Sequence, residues 1–181
     1  LEVIVRESER LTRLVDNVLD FGRLECGRRQ FNLEARHVTQ LLSVAEAPRP
    51  RVEAAGVTLC LEALNVEVDH LGNFLRYTKD AAEIIRMVNS PNVKILYDAY
   101  HMYLNEGKII ETLRKYQDLI GCIHIADAPG RGEPGTGCIN YRAVLQDLYD
   151  HGYDRMIAFE LYPKSGSAAA VEAINGVRAG L

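Results

Sequence analysis

Four apolar runs in this sequence end on a group able to bind a metal or carry a proton. Glu62 follows VTLCL, Asp98 follows VKILY, His124 follows GCI and Glu160 follows MIAF. Three carboxylates and one imidazole gathered at one sheet edge can converge on a divalent cation. Oxygen donors with a single nitrogen suit Mn²⁺, Mg²⁺ or Co²⁺ better than they suit a structural zinc site. Each residue alone has a plainer explanation. An acidic residue closing a strand often caps the next helix, and a histidine between isoleucines, as His124 is, is more often a satisfied core residue. Four such residues in register are harder to explain as four unrelated caps.

The elements that must position them are legible from hydrophobic rhythm. From Val57 onward, continuous apolar runs suited to strands buried on both faces alternate with helical patterns. The runs are VTLCLEAL, VKILYDAY, GCIHIADA and MIAFELYP. The helical patterns fall at Phe74–Val88, Lys108–Leu119, Tyr141–Asp150 and from about Ala168. Four strand-then-helix units of roughly 30 to 35 residues require parallel strands with helical crossovers. In such a sheet every strand's C-terminal end faces the same way, and sites gather there. The fold class expected from this rhythm is α/β, four βα units with parallel strands preceded by an α-helical N-terminal extension.

That extension has its own composition. Before Gly56 there are nine arginines and no lysine, and all nine tyrosines lie at Tyr77 or later. Val3, Ile4, Leu11, Leu14, Val15, Val18, Leu19 and Phe21 recur at three- and four-residue steps, one stripe of an amphipathic helix that Gly27 would stop. A second helix is expected over Val38–Ala45, with Pro48 and Pro50 interrupting the chain beyond it. The expected domains are 1–56 (helical segment) and 57–181 (the four βα units).

Bulk properties narrow the function. A net charge of −4 gives no general reason to expect nucleic acid or an anionic membrane as partner, and no apolar run approaches a bilayer-spanning length. There is no charged-then-apolar leader, and the chain begins with Leu1 rather than Met. Cys26, Cys60, Cys122 and Cys138 are scattered without a C-x-x-C pair, which argues against a disulfide framework and for a reducing compartment, by default the cytoplasm.

The runs LCLEALN, YDAYHM, HIADAPGRGEPGTGCINY and FELYP resemble the consecutive strand-end motifs of the hydroxypyruvate isomerase family, within the xylose isomerase-like group of TIM barrels. The resemblance covers about Val57 to Ile174, with the third motif the most specific, and implies that the four βα units are a partial (half) TIM barrel. It implies Glu62, Asp98, His124 and Glu160 as metal ligands, Glu62 and Glu160 as the proton-transfer pair, and His101 and Arg131 as substrate contacts. The position of His124 is Gln in many hydroxypyruvate isomerases and His in related ketose epimerases, so it does not settle the substrate. The loop GRGEPGTG lacks the Lys-Ser/Thr ending and G-x-G-x-x-G spacing of nucleotide-phosphate loops.

ESERLTRLVDNVLDFGRLECGRRQFNLE is similar instead to the second helix and linker of a sensor histidine kinase's dimerisation hairpin. The phosphoacceptor motif and the ATP-binding boxes are absent, and His37 stands in the linker, so the chain reads as an apparent chimera without kinase activity. Two expectations of different class arise. The first is a metal-dependent isomerase of a small hydroxy-carbonyl substrate, converting hydroxypyruvate to tartronate semialdehyde through an enediolate. The second is a non-catalytic dimerisation or signalling fragment built on the N-terminal helix. Four parallel strands leave two open edges and an uncovered inner face. A homodimer completing the barrel would bury the edges, or N-terminal helices folded over the face would give a monomer with an incomplete pocket.

Overall fold

The computed structural model describes residues 42–179. The helix expected over Leu1–Glu25, the kinase-like segment and the start of the Val38–Ala45 helix lie outside the described residues; residues 42–46 are helical. Helix α1, Arg49–Ala55, comes next. Pro48 is its N-cap and Pro50 lies in its first turn, so the prolines start a helix rather than interrupt one. In the first turn a proline lacks only an N–H that would have no intrahelical partner, and its fixed φ already suits the helix. Gly56, at φ 63°, closes α1 in the left-handed conformation that glycine adopts without steric cost.

Strands β1 (Leu59–Glu62), β2 (Val93–Asp98), β3 (Ile120–Ile125) and β4 (Met156–Phe159) form one parallel sheet in the order β1-β2-β3-β4. Between them run α2 (Thr78–Val88), α3 (Ala99–Asn105), α4 (Ile109–Tyr116) and α5 (Tyr141–Asp150), with α6 (Ser167–Arg178) after β4. A 3₁₀ turn, Gln117–Leu119, completes the span read as one helix from Lys108. The order of elements is the one the hydrophobic rhythm implies, and α5 matches its expected bounds.

Two boundaries differ for visible reasons. The α2 pattern does not begin at Phe74, because Tyr77 is extended. The Glu106 carboxylate instead accepts from Thr78 N at 2.6 Å and from Thr78 Oγ1 at 3.2 Å, capping the helix there from another element. The β2 run stops at Asp98 rather than Tyr100. Asp98 Oδ1 accepts from Tyr100 N (2.8 Å) and His101 N (3.1 Å), so α3 starts immediately after the strand.

The core lies where the sheet meets its helices. Val93, Ile95 and Tyr97 from β2 and Ile120, Ile123 and Ile125 from β3 pack with Ala81, Ile85, Leu113, Tyr141 and Leu145. Period-2 alternation would put Ile120 on the opposite face from Ile123 and Ile125. The register slips there: Ile95 partners Ile120 while Leu96 partners Cys122. Gly121 is the extra residue of a bulge that returns all three isoleucines to the helix side. A Cβ at Gly121 would stand 2.7 Å from Lys94 Cβ, so glycine suits the place. Cys122 and His124 then share the other face with Leu96 and Asp98.

Candidate active site

The face opposite the helices carries the chemistry. Asp98 pairs with His124, His124 pairs with Ala158, and Glu160 lies two residues beyond Ala158 on the same side. Glu62 closes β1. One donor atom from each of Glu62, Asp98, His124 and Glu160 lies within 4.8 Å of all the others. Donors about 2.1 Å from a shared cation stand at most about 4.2 Å apart, so only a small contraction separates this cluster from a coordination shell. Asp98 is fully buried, Glu62 and His124 are partly buried, and the Glu160 side chain is 55% exposed at the mouth.

The surroundings treat the carboxylates differently. Burial, reinforced by Asp98 and Glu160, pushes the Glu62 carboxyl up to about 7. Burial likewise raises Asp98 to about 6, against the lowering effect of the His101 N–H and Arg131. Burial also opposes ionisation of Glu160, but Arg131 and His124 outweigh it and hold that group below the usual carboxylate range. Arg131 Nη2 donates to Glu160 Oε2 at 2.8 Å and stands 3.6 Å from Asp98 Oδ2, while His124 Nδ1 lies 3.2 Å from the same Glu160 oxygen.

Three buried polar atoms at this spot have no hydrogen-bond partner: Glu62 Oε1, Asp98 Oδ2 and His101 Nε2. Buried acceptors are normally satisfied, and two orphaned carboxylate oxygens among raised carboxyl groups are the electrostatic mark of a cation-binding set. The residues present therefore fit a divalent cation.

His101 sits in the first turn of α3, behind Asp98, and is fully buried. Its Nδ1 is 2.6 Å from Asn65 Nδ2 and 3.4 Å from Asn65 N, both of which can only donate. Nδ1 is therefore the acceptor and the ring proton is on Nε2, 3.9 Å from Asp98 Oδ2. Burial, with Arg131 and His70 nearby, pushes His101 down to about 4, so it is a neutral N–H donor at neutral pH. Asn65 was not among the sequence candidates, although it closes the LCLEALN run. It is fully buried, gives Nδ2 also to Asp69 (2.8 Å), and takes Val68 N and Asp69 N on Oδ1 (both 3.1 Å).

Within the glycine-rich loop, Gly135 N and Thr136 N are spent internally, on Asp127 and Glu133. Fully buried Asp127 accepts from Ala128 N (2.9 Å), Ile139 N (3.0 Å) and Gly135 N (2.8 Å). A Cβ on Gly137 would stand 2.3 Å from Ala128 O, so the two arms of the loop touch. Buried Glu133 accepts from Lys164 N at 2.9 Å, and Tyr162 N donates to Arg131 O at 2.7 Å, tying the loop to the segment after β4. The Arg131 backbone, at φ 52°, is thereby fixed, and its guanidinium lies 5.4 Å from the Tyr100 ring centre and 5.8 Å from that of Tyr162. Asp127→Ala would strand three N–H groups and is expected to destabilise the protein by roughly 3–5 kcal/mol. A urea-unfolding midpoint unchanged from wild type would discard this role for Asp127.

The sequence pattern of the family described as xylose isomerase-like TIM barrel matches residues 28–179. Hydroxypyruvate isomerase of Escherichia coli (strain K12) is 32% identical over 148 residues, 82% of this chain and 57% of that protein. The 2-oxo-tetronate isomerase of Cupriavidus necator is 35% identical over 118 residues, 65% of this chain and 45% of its own length. The chain thus spans about half the length of the curated relatives it matches. A crystal structure of 3-keto-D-glucoside 4-epimerase from E. coli superposes with a TM-score of 0.75 at 22% identity, over 84% of this chain and 57% of that one, a likeness of fold. No helix among the described residues is long and apolar enough to cross a membrane.

Proposed function

The chain belongs to the xylose isomerase-like TIM barrel family, and from that premise we propose that it serves a metal-dependent isomerase of small hydroxy-carbonyl substrates, with hydroxypyruvate the first to test. The observation that carries this reading is the convergence of four donor atoms from four consecutive strand ends within 4.8 Å. Glu62, Asp98, His124 and Glu160 would hold the divalent cation, which would supply stabilisation of the substrate oxygen that becomes negative. Their three carboxylates favour Mg²⁺, Mn²⁺ or Co²⁺.

The rest of the chemistry falls to the chain's own side chains. Isomerisation of hydroxypyruvate removes a proton from the hydroxyl-bearing carbon and returns one to the neighbouring carbon, through an enediolate, giving tartronate semialdehyde. Glu160, near the mouth, would take the first proton, and Glu62 would return one at the neighbouring carbon. Neutral His101 can offer Nε2–H toward a substrate oxygen. Arg131, planar and held between two rings, is suited to a substrate carboxylate.

The test is calorimetric titration of the metal-stripped protein with Mn²⁺, beside His124→Ala. One saturable site is expected, weakened at least about tenfold in the variant, as loss of a single ligand normally does. A folded wild type that takes up no Mn²⁺ would discard the reading.

A further inference from the structure

We propose that Arg131 is the resident counter-cation of the four-ligand cluster, and that its guanidinium must withdraw before a divalent cation can settle there. The inference rests on the reading of Glu62, Asp98, His124 and Glu160 as the cation's ligands.

Three observations carry it. Arg131 Nη2 stands 2.8 Å from Glu160 Oε2 and 3.6 Å from Asp98 Oδ2, so one nitrogen faces two of the four ligand residues. The nearer oxygen is doubly engaged, since His124 Nδ1 is 3.2 Å from it as well. Coordination through that oxygen would require both contacts to loosen, and the guanidinium would repel an arriving dication at close range.

The second observation is what holds the arginine from behind. Its backbone is anchored at φ 52° in the clamped loop, with its carbonyl taken by Tyr162 N, but its guanidinium otherwise meets the faces of Tyr100 and Tyr162. Ring faces offer a broad, weakly directional attraction, unlike the fixed geometry of a carboxylate fork. The group can therefore turn away from Glu160 without leaving its cation–π seat, and movement is confined to the side chain.

Third, the Arg131 side chain is only 12% exposed, so its charge is poorly screened by solvent and bears directly on the cluster. Arginine and metal thus compete for the same carboxylate oxygens, and removing the arginine should affect the two states of the protein in opposite directions.

Mn²⁺ titration by calorimetry, with chemical denaturation of the same proteins in chelator, tests this on wild type, Arg131→Gln, Arg131→Lys and His124→Ala. Arg131→Gln should bind Mn²⁺ about tenfold more tightly while its metal-free form unfolds at lower denaturant. Arg131→Lys, which keeps the charge, should stay within about threefold of wild-type affinity. His124→Ala should bind more weakly. Unchanged or weaker Mn²⁺ binding by Arg131→Gln, with His124→Ala still weakened, would overturn the counter-cation role and leave the metal site standing. Absence of Mn²⁺ binding by all four proteins would overturn both.

Discussion

Glu160→Gln is expected to lower turnover of hydroxypyruvate by about 10³-fold or more at saturating Mn²⁺, while the protein stays folded. A positioned carboxylate base contributes on the order of 10²–10⁴-fold to proton transfer, and the amide has no basic oxygen to replace it. The same change removes one charged ligand, which adds to the loss. The fold should tolerate it because the side chain is 55% exposed and fills no core space. Its backbone N–H, which donates to Ile125 O at 3.2 Å, is untouched. Gln can still accept from Arg131 through its carbonyl oxygen. Saturating metal separates the two contributions: a variant brought back to a tenth of wild-type turnover by excess Mn²⁺ would show that Glu160 acts as ligand and not as base. Thermal melts with and without chelator would show whether the fold is preserved.

The second large effect is on stability. In the metal-free protein Glu62 is held up to about 7 and Asp98 up to about 6, each chiefly by burial. The folded state therefore binds more protons than the unfolded chain once pH exceeds the ordinary carboxylate range. The associated stability is fully present below that range and is lost as pH rises through about 6 and then 7. Metal-free wild type should thus lose roughly 1–3 kcal/mol between pH 5 and pH 8 from this pair. Glu62→Gln cannot ionise and should be the more stable protein at pH 8 in chelator, yet it should gain little when Mn²⁺ is added. Wild-type affinity for Mn²⁺ should fall as pH drops below 7, because protons compete for the same oxygens. Denaturation in chelator at the two pH values decides it. Wild type equally stable at both, or a variant weaker at pH 8, would show that these carboxyl groups are not strained by their burial.

How much of this was readable in the sequence depends on the kind of signal involved. The four ligand candidates stood out because each interrupts an apolar run, and a polar group ending a buried strand is visible without any tertiary information. The parallel sheet was implied by the alternation of long apolar runs with helical periods, and the Tyr141–Asp150 pattern coincides with α5, where the structure adds a cap at Asn140, whose side chain accepts from Ala143 N. Asn65 and Asp127 were not singled out. Before folding they are ordinary polar residues beside loops, and only burial turns each into a hub of hydrogen bonds. The bulge at Gly121 escaped notice because alternation assumes one residue per partner, and the insertion that breaks the assumption is decided by the neighbouring strand. Helix α3 was hidden because Ala99 and Tyr100 continue the apolar run of β2; the cap from Asp98 cuts the run, and a cap is a property of geometry as much as of residue type.

That cap limits how the site can be redesigned. Asp98 divides its carboxylate, with Oδ1 committed to two N–H groups of α3 and Oδ2 left facing the cluster. One further methylene would carry both oxygens away from at least one of these duties, so glutamate, an equally good ligand in isolation, is a poor substitute at position 98. Asparagine would keep the cap and surrender the charge. Attempts to retune cation preference by exchanging carboxylates therefore have only two free positions, 62 and 160, and those are the two on which proton transfer is proposed to depend. Metal choice and proton chemistry in this scaffold would have to be altered together or left alone.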